Sequence, residues 1–164
     1  HDHNWGNTPL QYLFDNWVWF RGEIEDKTIV AAVLYMTDKR GGYDVPILYI
    51  ADSSKVHVNK FGEDGLYTKK STRITDLYNK HNEPLFRELD MITEDGFRVN
   101  IIGNSVIDNS NLFKRGKMPY PIRLAMGAAK IDPFYTRYDS EMSLSIDGKA
   151  PKTGFGVFEI MDLK

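Results

Sequence analysis

Apolar and polar residues alternate with a period of two along most of this chain of 164 residues, the pattern of half-buried strands. From Asn16 to Ile24 the odd positions Trp17, Trp19, Arg21 and Glu23 share one face. Val18, Phe20, Gly22 and Ile24 share the other. Glu25-Asp26-Lys27 reads as a turn, and Thr28 to Thr37 as an apolar, β-branched strand. Asp38-Lys39-Arg40-Gly41-Gly42 is a second turn whose glycines admit positive φ. Tyr43 to Ala51, a polar turn at Asp52-Ser53-Ser54 and a short strand from Lys55 to Val58 follow. Short strands joined by tight turns predict antiparallel neighbours, a meander.

The middle of the chain is less regular. Leu66 to Ile74 reads as a strand and Asp76 to Glu83 as a polar connection. Leu85–Met91 and Phe97–Ser105 form an expected hairpin across Thr93-Glu94-Asp95-Gly96. Asp108 to Lys117, rich in Asn, Ser, Lys and Gly, is expected to be a surface loop. Pro119 and Pro121 confine the next strand to an edge or to a late start near Ile122. Phe134–Ile146 and Thr153–Leu163 end the series, with Asp147-Gly148-Lys149 between them. No helix longer than two turns, internal repeat or linker is expected. The fold class is therefore all-β, an antiparallel meander forming a barrel or sandwich. A barrel of about eight to ten strands can hold a small ligand. Gly22, Ala31 and Ala32 read as space left for one.

Composition narrows the function classes. With 41% hydrophobic residues, a chain this long buries roughly 70% of its extended surface as one domain, residues 1–164. Lys and Arg number 21 against 23 acids, so no basic nucleic-acid surface is expected. No apolar stretch approaches the roughly 20 residues of a membrane span. The absence of cysteine excludes disulfides, thiolate metal sites and a cysteine nucleophile, and leaves the compartment open. The chain opens at His1 rather than methionine and reads as a processed product or a piece of something longer.

Three segments carry candidate chemistry. In His1-Asp2-His3-Asn4-Trp5-Gly6-Asn7, an extended backbone puts His1, His3 and Trp5 on one face, roughly 6.6 Å apart. Two imidazoles can ligate zinc, but a catalytic site needs a third protein ligand, and no metal or other cofactor is assigned. The segment is either a hydrogen-bonded strand end or a pocket wall. In Trp17-Val18-Trp19-Phe20-Arg21-Gly22-Glu23, the indoles suit flat apolar or polyene ligands. If that face turned inward, Arg21 would need Glu23, Glu141 or Glu159 as a partner. If it turned outward, Val18, Phe20 and Ile24 would form the core. A ligand pocket requires the inward arrangement, with Tyr35 of the second strand as a further contact. In the last third, Phe134-Tyr135-Thr136-Arg137-Tyr138-Asp139 faces the closing Gly154-Phe155-Gly156-Val157-Phe158-Glu159. Gly154 and Gly156 permit close backbone approach or a barrel-closing bend. Glu159 is a solvated strand residue, a partner for Arg21 or Arg137, or an acid kept protonated by burial.

The opening His1–Asn7 segment, followed by Asn16-Trp17-Val18-Trp19-Phe20-Arg21, resembles the C-terminal half of the AttH/CrtC-type lipocalin-like family. There a DHxWG segment precedes a W-x-W strand. The family includes carotenoid 1,2-hydratases (hydroxyneurosporene synthases), kievitone hydratase and lipocalin-like Diels–Alderases. Gly154-x-Gly156-x-x-Glu159 resembles its closing strand, whereas Lys55 to Arg115 matches nothing in it. The resemblance implies a lipocalin-like (calycin) barrel that is the C-terminal half of a two-barrel protein. It also implies an apolar small-molecule ligand, isoprenoid or polyketide-like, and an N-terminal barrel of the same protein as partner. The matched positions are His3, Asn4, Trp5, Trp17, Trp19 and Glu159. Glu159 and His3 are the expected catalytic groups; Asn4, Trp5, Trp17, Trp19, Arg21 and Tyr35 are the expected ligand contacts. Members differ in reaction, hydratase or cyclase, so the fold does not choose between them. A carrier or scaffold barrel without catalysis is the alternative.

Overall fold

In the computed structural model, which describes residues 7–62, 64–69, 78, 85–111, 119–128 and 133–163, the alternating segments become nine strands. They are β1 (Phe14–Ile24), β2 (Lys27–Met36), β3 (Asp44–Ala51), β4 (Val56–Phe61), β5 (Leu66–Lys69), β6 (Glu88–Thr93), β7 (Phe97–Asn111), β8 (Phe134–Ile146) and β9 (Lys152–Asp162). Their order in one sheet is β4-β3-β2-β1-β9-β8-β7-β6-β5, with every described pairing antiparallel. Strand β5 comes round to β3, so the sheet curls into a nearly closed, lipocalin-like barrel. The strand expectations hold for most of the chain. No helix among the described residues is long and apolar enough to cross a membrane.

One end of the barrel is closed by short connections after β1, β3, β6 and β8. Glu25 and Asp147 take positive φ in two of them, at 54° and 52°. The connections after β2, β5 and β7 leave from the opposite end. At the closed end, Asp52 holds the β3–β4 turn. Its Oδ1 accepts from the Ser54 amide at 2.7 Å, the Ser54 hydroxyl at 2.5 Å and the Lys55 amide at 3.0 Å. Its Oδ2 lies 2.5 Å from His57 Nε2. The Ser54 hydroxyl first, then His57 and the two amides, hold the Asp52 carboxyl far below the usual carboxylate range. An acid depressed on folding stabilises the native state above its unfolded value near about 3.9, and that contribution is lost as pH falls toward the folded value. Asp52→Asn is therefore expected to lower stability at neutral pH. The gap from wild type should narrow below about pH 4; urea titrations at pH 7 and 3 check this.

The barrel interior is packed. Val18, Phe20 and Ile24 of β1 meet Ile29, Ala31 and Val33 of β2, Leu48 and Ile50 of β3, and Phe158 and Ile160 of β9. The position where Gly22 lacks a side chain is filled by the Phe20 ring and the Met142 methyl. The space read into Gly22 is thus occupied, Ala31 is buried in the core, and Ala32 faces outward. The inward placement of Trp17, Trp19 and Arg21 is corrected as well: their face of β1 points out of the barrel. The cause is the uncompensated cost of burying a charge. Turning Val18, Phe20 and Ile24 inward brings no charged side chain into the core, while the other face would bring in Arg21 and Glu23.

Two further expectations change. Strand β7 runs on to Asn111, because Asp108, Asn109, Ser110 and Asn111 pair with Arg137, Thr136, Tyr135 and Phe134 of β8. A long regular neighbour overrides the poor strand propensity of Asp, Asn and Ser. Around Ile122 the chain forms a helix, α1 (Tyr120–Ala128), rather than a strand. Its first turn tolerates Pro121, which needs no amide donor there. The Pro119 carbonyl accepts from the amides of Ile122 and Arg123. Leu124, Ala125, Met126 and Ala128 are good helix formers.

Candidate functional site

The site is assembled by strand register on the outside of the barrel. Trp19 lies between Ala32 of β2 and Glu159 of β9, and Glu159 lies between Trp19 and Arg137 of β8. One step away from the closed end, a parallel row runs from Leu34 through Trp17 and Met161 to Tyr135. Because side chains two apart on a strand share a face, these rows lie side by side. Trp17 meets the Phe14 ring edge-on at 6.3 Å between centroids. Ala32 faces outward yet is 0% exposed, which shows how closely the larger residues crowd this surface.

Within this apolar face sits a polar trio. The Tyr135 hydroxyl donates to Glu159 Oε1 at 2.5 Å. Arg137 Nε stands 3.5 Å from the same oxygen. Burial first, and then the bond to Glu159, push the Tyr135 phenol well above its ordinary range, so it serves as a fixed donor. Both contacts fall on Oε1; among the described residues, Oε2 accepts no hydrogen bond. The trio therefore presents a braced carboxylate oxygen beside an indole, an arrangement suited to accepting a proton or orienting a hydroxyl.

Of the residues singled out from sequence, register brings Trp17, Trp19 and Glu159 together. Arg21 lies in the next row, exposed, between Val30 and Val157. Glu159 is the partner of Arg137, one of its three anticipated roles. It lies on the outer face, partly exposed. Tyr35 turns the other way, toward the core, where it stacks on Phe86 at 6.1 Å. Arg87 lies over the Tyr138 ring and donates to the Gly103 carbonyl at 3.0 Å. His3, Asn4 and Trp5 lie outside the described residues. The sequence marks the Phe134–Asp139 segment but does not single out Tyr135 and Arg137 as site residues. Their odd-numbered spacing was the available signal, but only the β8–β9 register reveals which odd positions face Glu159.

No family model matches the chain, and no curated protein matches it. Several solved structures are similar, three of them as follows. CghA, solved with Sch210972, superposes with a TM-score of 0.63 at 10% identity, over 94% of this chain and 42% of that one. Kievitone hydratase from Nectria haematococca gives 0.57 at 13% identity, over 96% and 42%. A protein assigned as an AttH from Nitrosomonas europaea gives 0.51 at 11% identity, over 89% and 38%. Identities this low establish a shared fold, the lipocalin-like fold of AttH-type structures. The chain spans less than half the length of each of these structures.

Proposed function

We propose that this domain forms one wall of a binding site for an apolar small molecule, isoprenoid or polyketide-like. An N-terminal barrel of the same protein completes the site. The observation that carries the reading is a braced carboxylate, Glu159, embedded with Trp17 and Trp19 in a crowded apolar face outside a packed barrel. The continuous cluster of buried apolar side chains in the described interior favours a ligand in the seam between two halves. The neighbours support this: one was solved with a small molecule, another is named a hydratase, and each is more than twice the length of this chain.

In a hydratase, water addition makes a carbon–oxygen bond and delivers a proton to the neighbouring carbon. Glu159, whose partners are both donors, takes the proton from the water as its oxygen attacks. The facing half supplies the acid for the carbon, and the indole faces of Trp17 and Trp19 stabilise positive charge on the substrate. In a cyclase the same surface acts through orientation, with Tyr135 and Arg137 fixing the polar end. His3 is a second proton-transfer candidate, and Asn4, Trp5 and Arg21 are further ligand contacts. Tyr35 faces the core and is not part of this wall.

An apolar fluorophore should bind with quenching of tryptophan emission, and Trp19→Ala should weaken it about tenfold, near 1.4 kcal/mol. Unchanged affinity in that variant would remove Trp19 from the site. The packed interior favours a second reading, a scaffold without catalysis. In that case Trp19→Ala loosens the association of the two halves and leaves ligand affinity alone.

A further inference from the structure

The polar trio on the barrel wall is only half used by its own members. Tyr135 and Arg137 both reach Oε1 of Glu159, which leaves Oε2 without a donor among the described residues. Arg137 is idle in the same way. Its Nε is buried and makes no hydrogen bond, and its ion pair is the 3.5 Å contact with Glu159. Beyond that covered Nε, the two terminal nitrogens carry four N–H donors and bond to none of the described residues. The Arg137 side chain is 42% exposed and that of Glu159 32%. A guanidinium edge and a carboxylate oxygen therefore stand side by side at the surface. One can only donate and the other can only accept.

We propose that this pair selects the head group of the ligand: an apolar molecule ending in a neutral group that accepts and donates at once, a carboxamide or a hydroxyl beside a carbonyl. The inference rests on the proposed ligand wall and adds the chemistry of the polar end. Charge makes the selection. The pair sums to zero, so an ionised head loses on one partner what it gains on the other. A carboxylate accepts from Arg137 but sets an anion against Glu159; an ammonium donates to Glu159 but stands against Arg137. Either ion also gives up hydration against an apolar face. A neutral head that offers an oxygen to Arg137 and an N–H or O–H to Glu159 satisfies both, and each bond is of the stronger, charge-assisted kind. Tyr135, committed to Oε1 at 2.5 Å, fixes which carboxylate oxygen is left for the ligand. Asp108, opposite Arg137 on β7, is engaged in an interaction of its own.

Octanamide, octanoate and octylamine share one chain length, and at neutral pH their heads are neutral, anionic and cationic. Their displacement of a neutral apolar fluorophore, N-phenyl-1-naphthylamine, from the chain tests the proposal. Octanamide should act at about tenfold lower concentration than either ion. Glu159→Gln removes the opposing carboxylate and should bring octanoate level with octanamide or ahead of it. Arg137→Gln should do the same for octylamine. Only the ratio between ligands is read within each variant, so a general loss of affinity cannot imitate the swap. The proposal is overturned if an ion equals or beats the amide on the wild-type chain, or if either folded variant keeps the wild-type order. Should one variant not fold, the wild-type ranking and the other variant still decide. Failure of the fluorophore itself to bind would overturn the ligand wall and this inference with it; binding without head-group preference removes the inference alone.

Discussion

Phe20→Ala should cost about 3–5 kcal/mol of folding stability, the range for removing a fully buried aromatic ring. Phe20 is 0% exposed, and its ring occupies the spaces beside two glycines, Gly22 of β1 and Gly156 of β9. Those strands pair directly at Gly22 and Gly156, so the cavity would open beneath the seam between them. Backbone held in a paired sheet cannot collapse to refill it, which places the loss toward the upper end. For a domain of this size the midpoint of thermal unfolding should fall by roughly 10 °C or more. A fall below about 1 kcal/mol would mean that Phe20 is not the central packing group.

The converse substitution, Gly154→Ala, should also be strongly destabilising, by about 1–3 kcal/mol or more. A methyl group there would collide with the Glu23 carbonyl oxygen on β1 and with Ile24. Side chains can rotate away from an intruding methyl; a carbonyl in a paired strand cannot. The seam must part, or the end of β1 must shift. Stability measured by urea unfolding should fall without loss of the β circular-dichroism signature. A neutral result would show that β1 and β9 are looser at this end than their pairing indicates.

Most of the fold was legible because strand period and turn chemistry are local. The alternation in β1, β2, β8 and β9 and the turns at Glu25 and Asp147 lie in a few consecutive residues, so they can be read without the tertiary structure. What could not be read were choices that depend on partners distant in sequence. Both faces of β1 are amphipathic enough to point inward, and the choice of Phe20 over Trp19 rests on burying Arg21 or not. The extension of β7 needed β8 as template, and α1 stands where the two prolines predict an edge strand or one starting late near Ile122. The candidate site was half legible: the Trp17–Trp19 pair and Glu159 stood out by residue type. Tyr135 and Arg137 became partners only once β8 settled its alignment with β9.

The adjacency of β1 and β9 also bears on how the chain reaches this structure. Asn16 pairs with Asp162, so a contact in the middle of the sheet joins residues separated by almost the whole sequence. Closing so large a loop is slow compared with forming local hairpins. The meander β1–β4 can assemble early, yet one edge of β1 stays open until β9 arrives. Release of a truncated product during synthesis would therefore leave that edge available for intermolecular strand addition.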